Sequence, residues 1–259
     1  VERGLAASRE RARTMIMEGR VLVDGRKVEK AGTGVKPEAG LRLLGEEMPY
    51  VSRGGLKLEK ALRVFSLSLA GKTMADIGAS TGGFTDCMLQ NGAAKVYAID
   101  VGYGQLDWKL RTDARVVNME RTNIRNVTLE MLGQMIDFAS IDVAFISLDK
   151  VLPVVRTLLA ERGEVIALIK PQFEAGKERV GKNGVVRDPA VHEDVIRQVL
   201  AVAKAQAFHP EGLTFSPVKG PKGNIEYLLY LKVQGDGEQW VDEASVHAVV
   251  AEAHRTLDE

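Results

Sequence analysis

Apolar residues follow one rhythm over the first fifty positions of the chain and another over the rest. In the stretch "SRERARTMIMEGR", residues 8–20, Ala12, Met15 and Ile16 recur at helical spacing. Ser8 stands where an N-cap is needed and Gly19 where a helix stops. Two short strand-like runs follow: "RVLVDGRKV", residues 20–28, folding about the hairpin pair Asp24-Gly25, and "GLRLL", residues 40–44, after Pro37. This pattern predicts a small αβ module of about fifty residues. It ends at "GEEMPY", residues 45–50, where Pro49 and paired acids predict a linker. The expected division is a module over 1–46, a linker over 47–53 and a second domain over 54–259.

Past the linker, "VSRGGLKLEKAL" (51–62) puts two glycines and Lys57 ahead of a helix-like run. Strands and helices then alternate. The strand runs are "KTMADIGAS", "AAKVYAID", "ARVVNME", "DFASIDVAFIS" and "GEVIALIK", with helices predicted near 82–91, 148–160 and 190–206. Such alternation gives an α/β fold, a mainly parallel sheet with helices on both faces. The last two runs, "LTFSPVK" and "EYLLYLKV", have no helix between them, which predicts an antiparallel pair at the sheet edge.

Composition narrows the possibilities. A chain of 259 residues, 45% apolar, can bury a sizeable core. The longest apolar runs, such as "VIALI" at 165–169, fall far short of the roughly 20 residues that span a bilayer. A single cysteine, Cys87, excludes an internal disulfide framework and points to a reducing compartment. With no secretory leader pattern, a soluble, cytoplasmic protein is expected. Val1 rather than methionine opens the chain, so an upstream segment is also expected. Residues 1–64 hold 14 Lys+Arg against 9 Asp+Glu (+5), and the remainder 21 against 26 (−5). The amino-terminal end is therefore the basic end, which fits a polyanionic partner.

The first parallel strand runs into "DIGASTGGF", residues 76–84, and Asp100 ends the next strand 22 residues after Gly78. In doubly wound folds a ligand lies beyond the carboxyl ends of the strands. Glycines there let it approach the backbone, and the acid after the second strand binds ribose hydroxyls. The spacing of Gly78, Gly82 and Gly83 does not match the dinucleotide fingerprint, and "GKT" at 71–73 is no P-loop. A nucleoside cofactor without a phosphate to cradle fits better, namely S-adenosylmethionine. Its expected contacts are Asp76, Gly78, Ala79, Ser80, Thr81, Gly82, Gly83, Phe84 and Asp100.

The stretches "SRGGLKL", "DIGASTGGF", "DVAFISL", "LIKPQFE" and "GNIEYLLYL" occur in that order and resemble the hemolysin A (TlyA) family. That resemblance implies a Rossmann-like, FtsJ-type ribose 2′-O-methyltransferase domain acting on cytidines of ribosomal RNA. The basic module resembles the small S-four-type RNA-binding domain, short of its first helix. FtsJ-type enzymes carry a Lys-Asp-Lys-Glu catalytic set, matched here by Lys57, Asp142, Lys170 and Glu226. The resemblance implies Lys170 as base or steering group held by Asp142, with Lys57 and Glu226 orienting the ribose and each other.

The residues themselves are compatible with this. Asp142 follows the apolar run of one strand and Lys170 closes another, so both are expected at the ligand-side rim of the sheet. A lysine ending a buried strand needs a partner, and Asp142 and Glu226 are the available anions. Two lysines among two acids and a cationic sulfonium are expected to have more accessible neutral forms, through like-charge repulsion and burial, so that one can serve as a base. Gly54 and Gly55 are expected to give the backbone room beside Lys57. Lys177, Arg179, Lys182 and Arg187 occupy a glycine-punctuated loop that could close over RNA, with Phe173 read as core or as a base-stacking ring. Arg9 and Arg13 share one side of the first helix, with Arg20 just beyond it, suiting phosphate contact. His192, His209, His247 and His254 show no metal spacing, and Cys87 reads as a buried small hydrophobe. Two rival readings stand beside the enzyme: an RNA-binding or ribosome-assembly protein with an inactive methyltransferase fold, and a haemolytic, membrane-active protein.

Overall fold

A two-residue hairpin of the kind that matches strand twist needs positive φ at both turn residues, and Asp-Gly tolerates that. Asp24 (φ 50°) and Gly25 (φ 79°) adopt it between β1 (Val21–Val23) and β2 (Arg26–Val28). The Asp24 carboxylate also accepts the Gly40 N–H at 2.7 Å, fastening the hairpin tip to the residue before β3 (Leu41–Leu43). These strands make an antiparallel sheet in the order β2-β1-β3, accompanied by α1 (Arg9–Met17). Ser8 caps α1 as the sequence predicts, its hydroxyl oxygen accepting the Arg11 N–H at 3.1 Å, and Met15 is buried.

This computed structural model describes residues 1–6, 8–44, 48–235 and 241–258. The elements above belong to a unit spanning Val1–Met48; a second unit spans Pro49–Glu259. Of the predicted linker stretch, Gly45, Glu46 and Glu47 lie outside the described residues.

The second unit runs through α2 (Gly54–Val64), β4 (Thr73–Ile77), α3 (Gly83–Gln90), β5 (Lys95–Ile99), α4 (Trp108–Arg111), β6 (Val116–Met119), α5 (Leu129–Leu132) and β7 (Ile136–Ile141). It continues with α6 (Leu152–Leu158), β8 (Leu159–Ile169), α7 (Pro171–Glu174), α8 (Pro189–Ala205), β9 (His209–Phe215), β10 (Tyr227–Lys232) and α9 (Glu243–Leu257). The strands form a seven-stranded sheet in the order β6-β5-β4-β7-β8-β10-β9. Neighbours from β6 to β8 pair in parallel, and β10 runs antiparallel to both β8 and β9. Helices cover both faces. Leu58 and Leu62 of α2 and Phe84 and Met88 of α3 pack with Met74, Phe138 and Leu168 of the sheet. Val155 of α6, Val199 of α8 and Val250 of α9 pack with Ile77, Ala139 and Val165 on the other face.

The predicted antiparallel pair lies at the sheet edge as expected. Its members are ordered with β10 inside, between β8 and the edge strand β9. The reason is burial: five of the six residues in "YLLYLK" are buried, and a run apolar on both faces needs a neighbour on each side. The helix predicted over 148–160 gives way at Leu159, which opens β8 opposite Ile136. The strand predicted over 213–219 lies earlier and ends at Phe215, short of Pro217, which has no N–H for the ladder.

Candidate active site

At the end of β4 the chain turns through Gly78 (φ 85°), Ser80 (φ 50°) and Gly82 (φ 96°) into α3. Two of these positions exclude a side chain. A Cβ on Gly78 would lie 2.3 Å from the Asp142 carbonyl oxygen, and one on Gly82 would lie 2.2 Å from Leu110 Cδ1. Because β5 and β7 flank β4 on opposite sides, the chain connections diverge there and leave a crevice. A cleft of about 600 Å³ opens at this point, lined by Gly78, Ser80, Asp100, Val101, Ile124 and Asp142 among others. A smaller pocket of about 220 Å³ is lined by Lys57, Ala79, Thr81, Gly83 and Phe84, and it shares Gly78, Ser80 and Asp142 with the cleft.

The two acids of the predicted cofactor loop are used differently. Asp100 Oδ2 accepts the Ser80 N–H at 2.8 Å and its Oδ1 accepts the Gly102 N–H at 2.7 Å. It is half-buried on the cleft wall, and each oxygen keeps a further acceptor site. Asp76 is fully buried. Its Oδ2 accepts the Thr85 N–H (2.9 Å) and hydroxyl (2.7 Å), and its Oδ1 accepts the Ser140 hydroxyl (3.1 Å). Burial pushes the Asp76 carboxyl up to about 6 against the pull of these donors. Asp76 thus braces β4, α3 and β7 beneath the loop, rather than facing the cleft as the sequence reading expected.

Lys57, Asp142, Lys170 and Glu226 come together from four elements. Asp142 directly follows β7, Lys170 follows β8, Glu226 precedes β10, and Lys57 sits in the first turns of α2. The charges alternate in a row. Glu226 Oε2 accepts from Lys57 Nζ at 2.7 Å, Lys57 Nζ lies 3.5 Å from Asp142 Oδ2, and Lys170 Nζ lies 2.5 Å from Asp142 Oδ1. Lys57 and Glu226 are buried, at 8% and 1% exposure, while Asp142 and Lys170 are half-buried. Burial alone would push the Lys57 amine down, but Asp142 and Glu226 outweigh it and hold the group above its ordinary range. The expectation that burial and like-charge repulsion free a proton is therefore wrong for Lys57, because two carboxylates flank it. Gly55 is required beside this lysine, since a Cβ would meet the Tyr50 ring at 2.3 Å; at Gly54 the nearest atom would be an ordinary 3.4 Å away.

The other predicted residues separate into exposed and committed groups. Arg9 and Arg13 are exposed one turn apart on α1. Arg20 is half-buried, and its Nε donates to the Leu44 carbonyl at 3.1 Å. Lys177 and Lys182 are exposed on a groove of about 780 Å³ that also includes Phe145 and Phe173. Arg179 instead donates to the Ala175 carbonyl at 2.7 Å and reaches Asp194 at 3.4 Å. His192 is fully buried and hydrogen-bonded to Tyr227, Val186 and His254.

Three residues went unnoticed in the sequence. Asp86, buried in α3, accepts the Val51 N–H at 2.9 Å and pairs with Lys109 at 3.1 Å, anchoring the segment that leads to α2. An acid within the apolar run "FTDCML" was the available signal. Phe145 is 90% exposed at φ 63°, its ring 5.0 Å from that of Phe173. Glu174 accepts from Ser147 and Leu148 across the same loop. For these two no local pattern gave warning.

Residues 50–233 match the FtsJ-like methyltransferase family. The chain belongs to that family. Within this FtsJ-like protein, residues 1–40 also match the S4 domain. A Bacillus subtilis protein provisionally called an rRNA methyltransferase, YqxC, is 53% identical over 262 residues, covering 100% of this chain and 93% of its own. The 16S/23S rRNA (cytidine-2′-O)-methyltransferase TlyA of Mycobacterium tuberculosis is 47% identical over 240 residues, covering 91% of this chain and 88% of its own. A solved structure from Streptococcus thermophilus, provisionally called a hemolysin, is 48% identical with a TM-score of 0.82, covering 99% of this chain and 94% of that one. These similarities place the FtsJ-like chain in the hemolysin A (TlyA) family. Among its described residues no helix is long and apolar enough to cross a membrane.

Proposed function

We propose that this FtsJ-like protein transfers a methyl group from S-adenosylmethionine to the ribose 2′-hydroxyl of cytidine in ribosomal RNA, in the cytoplasm. The observation that carries this reading is the alternating row Glu226, Lys57, Asp142, Lys170, in which Asp142 lines the cleft beyond β4 and Lys57 the smaller pocket that adjoins it. The named activity of the TlyA relative supports the substrate, and the S4 match supports RNA as partner.

The residues present suit the cofactor. Asp100 has acceptor sites left for ribose hydroxyls, and the glycine-forced turn lines the pocket with Gly78 to Thr81 without shaping a pyrophosphate cradle. Gly82, Gly83 and Phe84 set the course of the turn into α3, and Asp76 braces it from below. Bound there, S-adenosylmethionine supplies a methyl group made electrophilic by its sulfonium.

The protein's work is then to place the hydroxyl in line and remove its proton. Lys57, kept protonated between two carboxylates, supplies a fixed cation that steadies Glu226 and the incoming ribose. Among the described residues Lys170 has one carboxylate partner, Asp142, which aims its amine, and we assign Lys170 the proton-accepting role. Exposed Arg9 and Arg13 contact phosphates, as do Lys177 and Lys182 beside Phe173.

The test is methyl transfer to ribosomal RNA by Lys170 variants. Lys170→Ala is expected to slow transfer by about 10²–10⁴, the usual effect of removing a positioned acid–base group. Lys170→Arg should fail nearly as badly, because guanidinium keeps its protons. Both should still bind S-adenosylmethionine. Full activity in the arginine variant would reduce Lys170 to an electrostatic anchor and overturn the assignment.

A further inference from the structure

The loop that leaves β7 behind Asp142 forms one wall of the nucleoside cleft through Val143, Ala144, Phe145 and Ile146. Its backbone is not relaxed. Phe145 sits at φ 63°, a region that bulky L-residues avoid, with its side chain 90% exposed. Such a conformation persists only where surrounding structure holds it. The restraint comes from α7, the four-residue helix that starts directly after Lys170. At its end, Glu174 Oε2 accepts the Ser147 hydroxyl at 2.5 Å and Oε1 accepts the Leu148 N–H at 2.9 Å. Between them, the ring of Phe173 meets that of Phe145.

We infer that Glu174 is a positioning residue: its carboxylate fastens the loop after Asp142 to the helix after Lys170, so the cleft wall and the Asp142–Lys170 pair share one frame. The inference rests on the methyl-transfer reading above. The chemistry of the clasp is specific about substitutes. Glutamine can keep both bonds, its carbonyl accepting the Leu148 N–H and its amide donating to the Ser147 hydroxyl oxygen. Alanine can keep neither. The clasp therefore depends on two directed hydrogen bonds, and its negative charge is dispensable.

The experiment compares Glu174→Ala, Glu174→Gln and Ser147→Ala for kcat, KM for S-adenosylmethionine, melting temperature and amide exchange at Leu148. Glu174→Ala should lower kcat by about 10²-fold, the effect of a small misplacement of reacting groups. It should also raise KM for S-adenosylmethionine and speed exchange at Leu148. Glu174→Gln should restore near-normal kcat and exchange, and Ser147→Ala, which leaves the Leu148 bond, should fall between. A folded alanine variant with unchanged kcat would overturn the inference, as would a glutamine variant as defective as alanine. Exchange is read on the protein without RNA. If the unmodified protein failed to methylate, faster Leu148 exchange in Glu174→Ala would still support the clasp, and unchanged exchange would refute it.

Discussion

Asp76 and Asp142 stand on adjacent strands, one within the end of β4 and the other just past β7, yet they inhabit opposite kinds of site. Asp76 is fully buried, and its donors among the described residues are neutral, the hydroxyls of Thr85 and Ser140 and one backbone N–H. Asp142 is half-buried and meets two ammonium groups. The first arrangement is closed: every contact is internal, and burial drives the carboxyl towards its neutral form. The second is an open row of alternating charge. Two carboxylates on neighbouring strands are thus either closed off as a brace or left in an open charged row, and the charge of their donors separates the two.

The sharpest way to break the contrast is to remove the cation at the heart of the open row. Lys57→Met leaves Glu226 buried, with the Gln172 amide at 3.4 Å as its one remaining side-chain hydrogen-bond partner among the described residues. Breaking a buried ion pair on one side costs about 3–5 kcal/mol. Denaturant unfolding should show a loss of that size, and Lys57→Met/Glu226→Met should recover much of it while methyl transfer stays abolished. Recovery of activity in the double variant would show the pair to be structural only.

At the closed site the informative variable is pH. The Asp76 carboxyl is raised from 3.8 to about 6, so the folded state disfavours its charged form. Its stabilising contribution is fully present below about pH 4 and is lost as pH rises through about 6, amounting to about 3 kcal/mol from the shift. Asp76→Asn does not ionise. Urea unfolding of both proteins from pH 4 to pH 7 should show the asparagine variant gaining on the native one by about that amount. A constant difference across the range would mean that Asp76 is not buried as a titrating brace.

The smallest expected effect concerns Asp100, which belongs to neither class, because its two backbone bonds leave acceptor sites facing the cleft. Asp100→Ala should weaken S-adenosylmethionine binding by about 1–3 kcal/mol with little change in folding. Undiminished affinity in calorimetry would remove Asp100 from the cofactor site.

Local pattern made much of this molecule legible, and the rest was settled by tertiary choices. The Asp24-Gly25 turn, the Ser8 cap and α8 follow from residues adjacent in sequence. The helix α9 had equally local signals, Val246 and Val250 four apart behind the Asp242–Ser245 capping box, and they were overlooked. The insertion of β10 between β8 and β9 has no local signature, because strand order is decided by which apolar faces need covering. The same holds for charge. The sequence brings Lys57 near the site, but that it meets two carboxylates and stays protonated depends on partners 85 and 169 positions away along the chain. Asp76 carried a glycine-rich loop's signature and still turned inward, since hydroxyls 9 and 64 residues distant captured it.

The reversed direction of β10 bears on the order in which the protein is made. Glu226 stands just before that strand, beside the ends of β7 and β8, because an antiparallel strand begins where its parallel neighbours finish. Run the other way, its six residues would carry Glu226 about 20 Å to the far rim of the sheet. As the ribosome releases the chain from its amino terminus, Lys57, Asp142 and Lys170 all emerge before their last partner. During that interval β8 must keep an open edge on the side that β10 will fill. A nascent chain halted before residue 226 would hold three of the four charges with Lys57 short of its nearest counter-ion. Completion of the site and completion of the sheet are thus the same late event in synthesis.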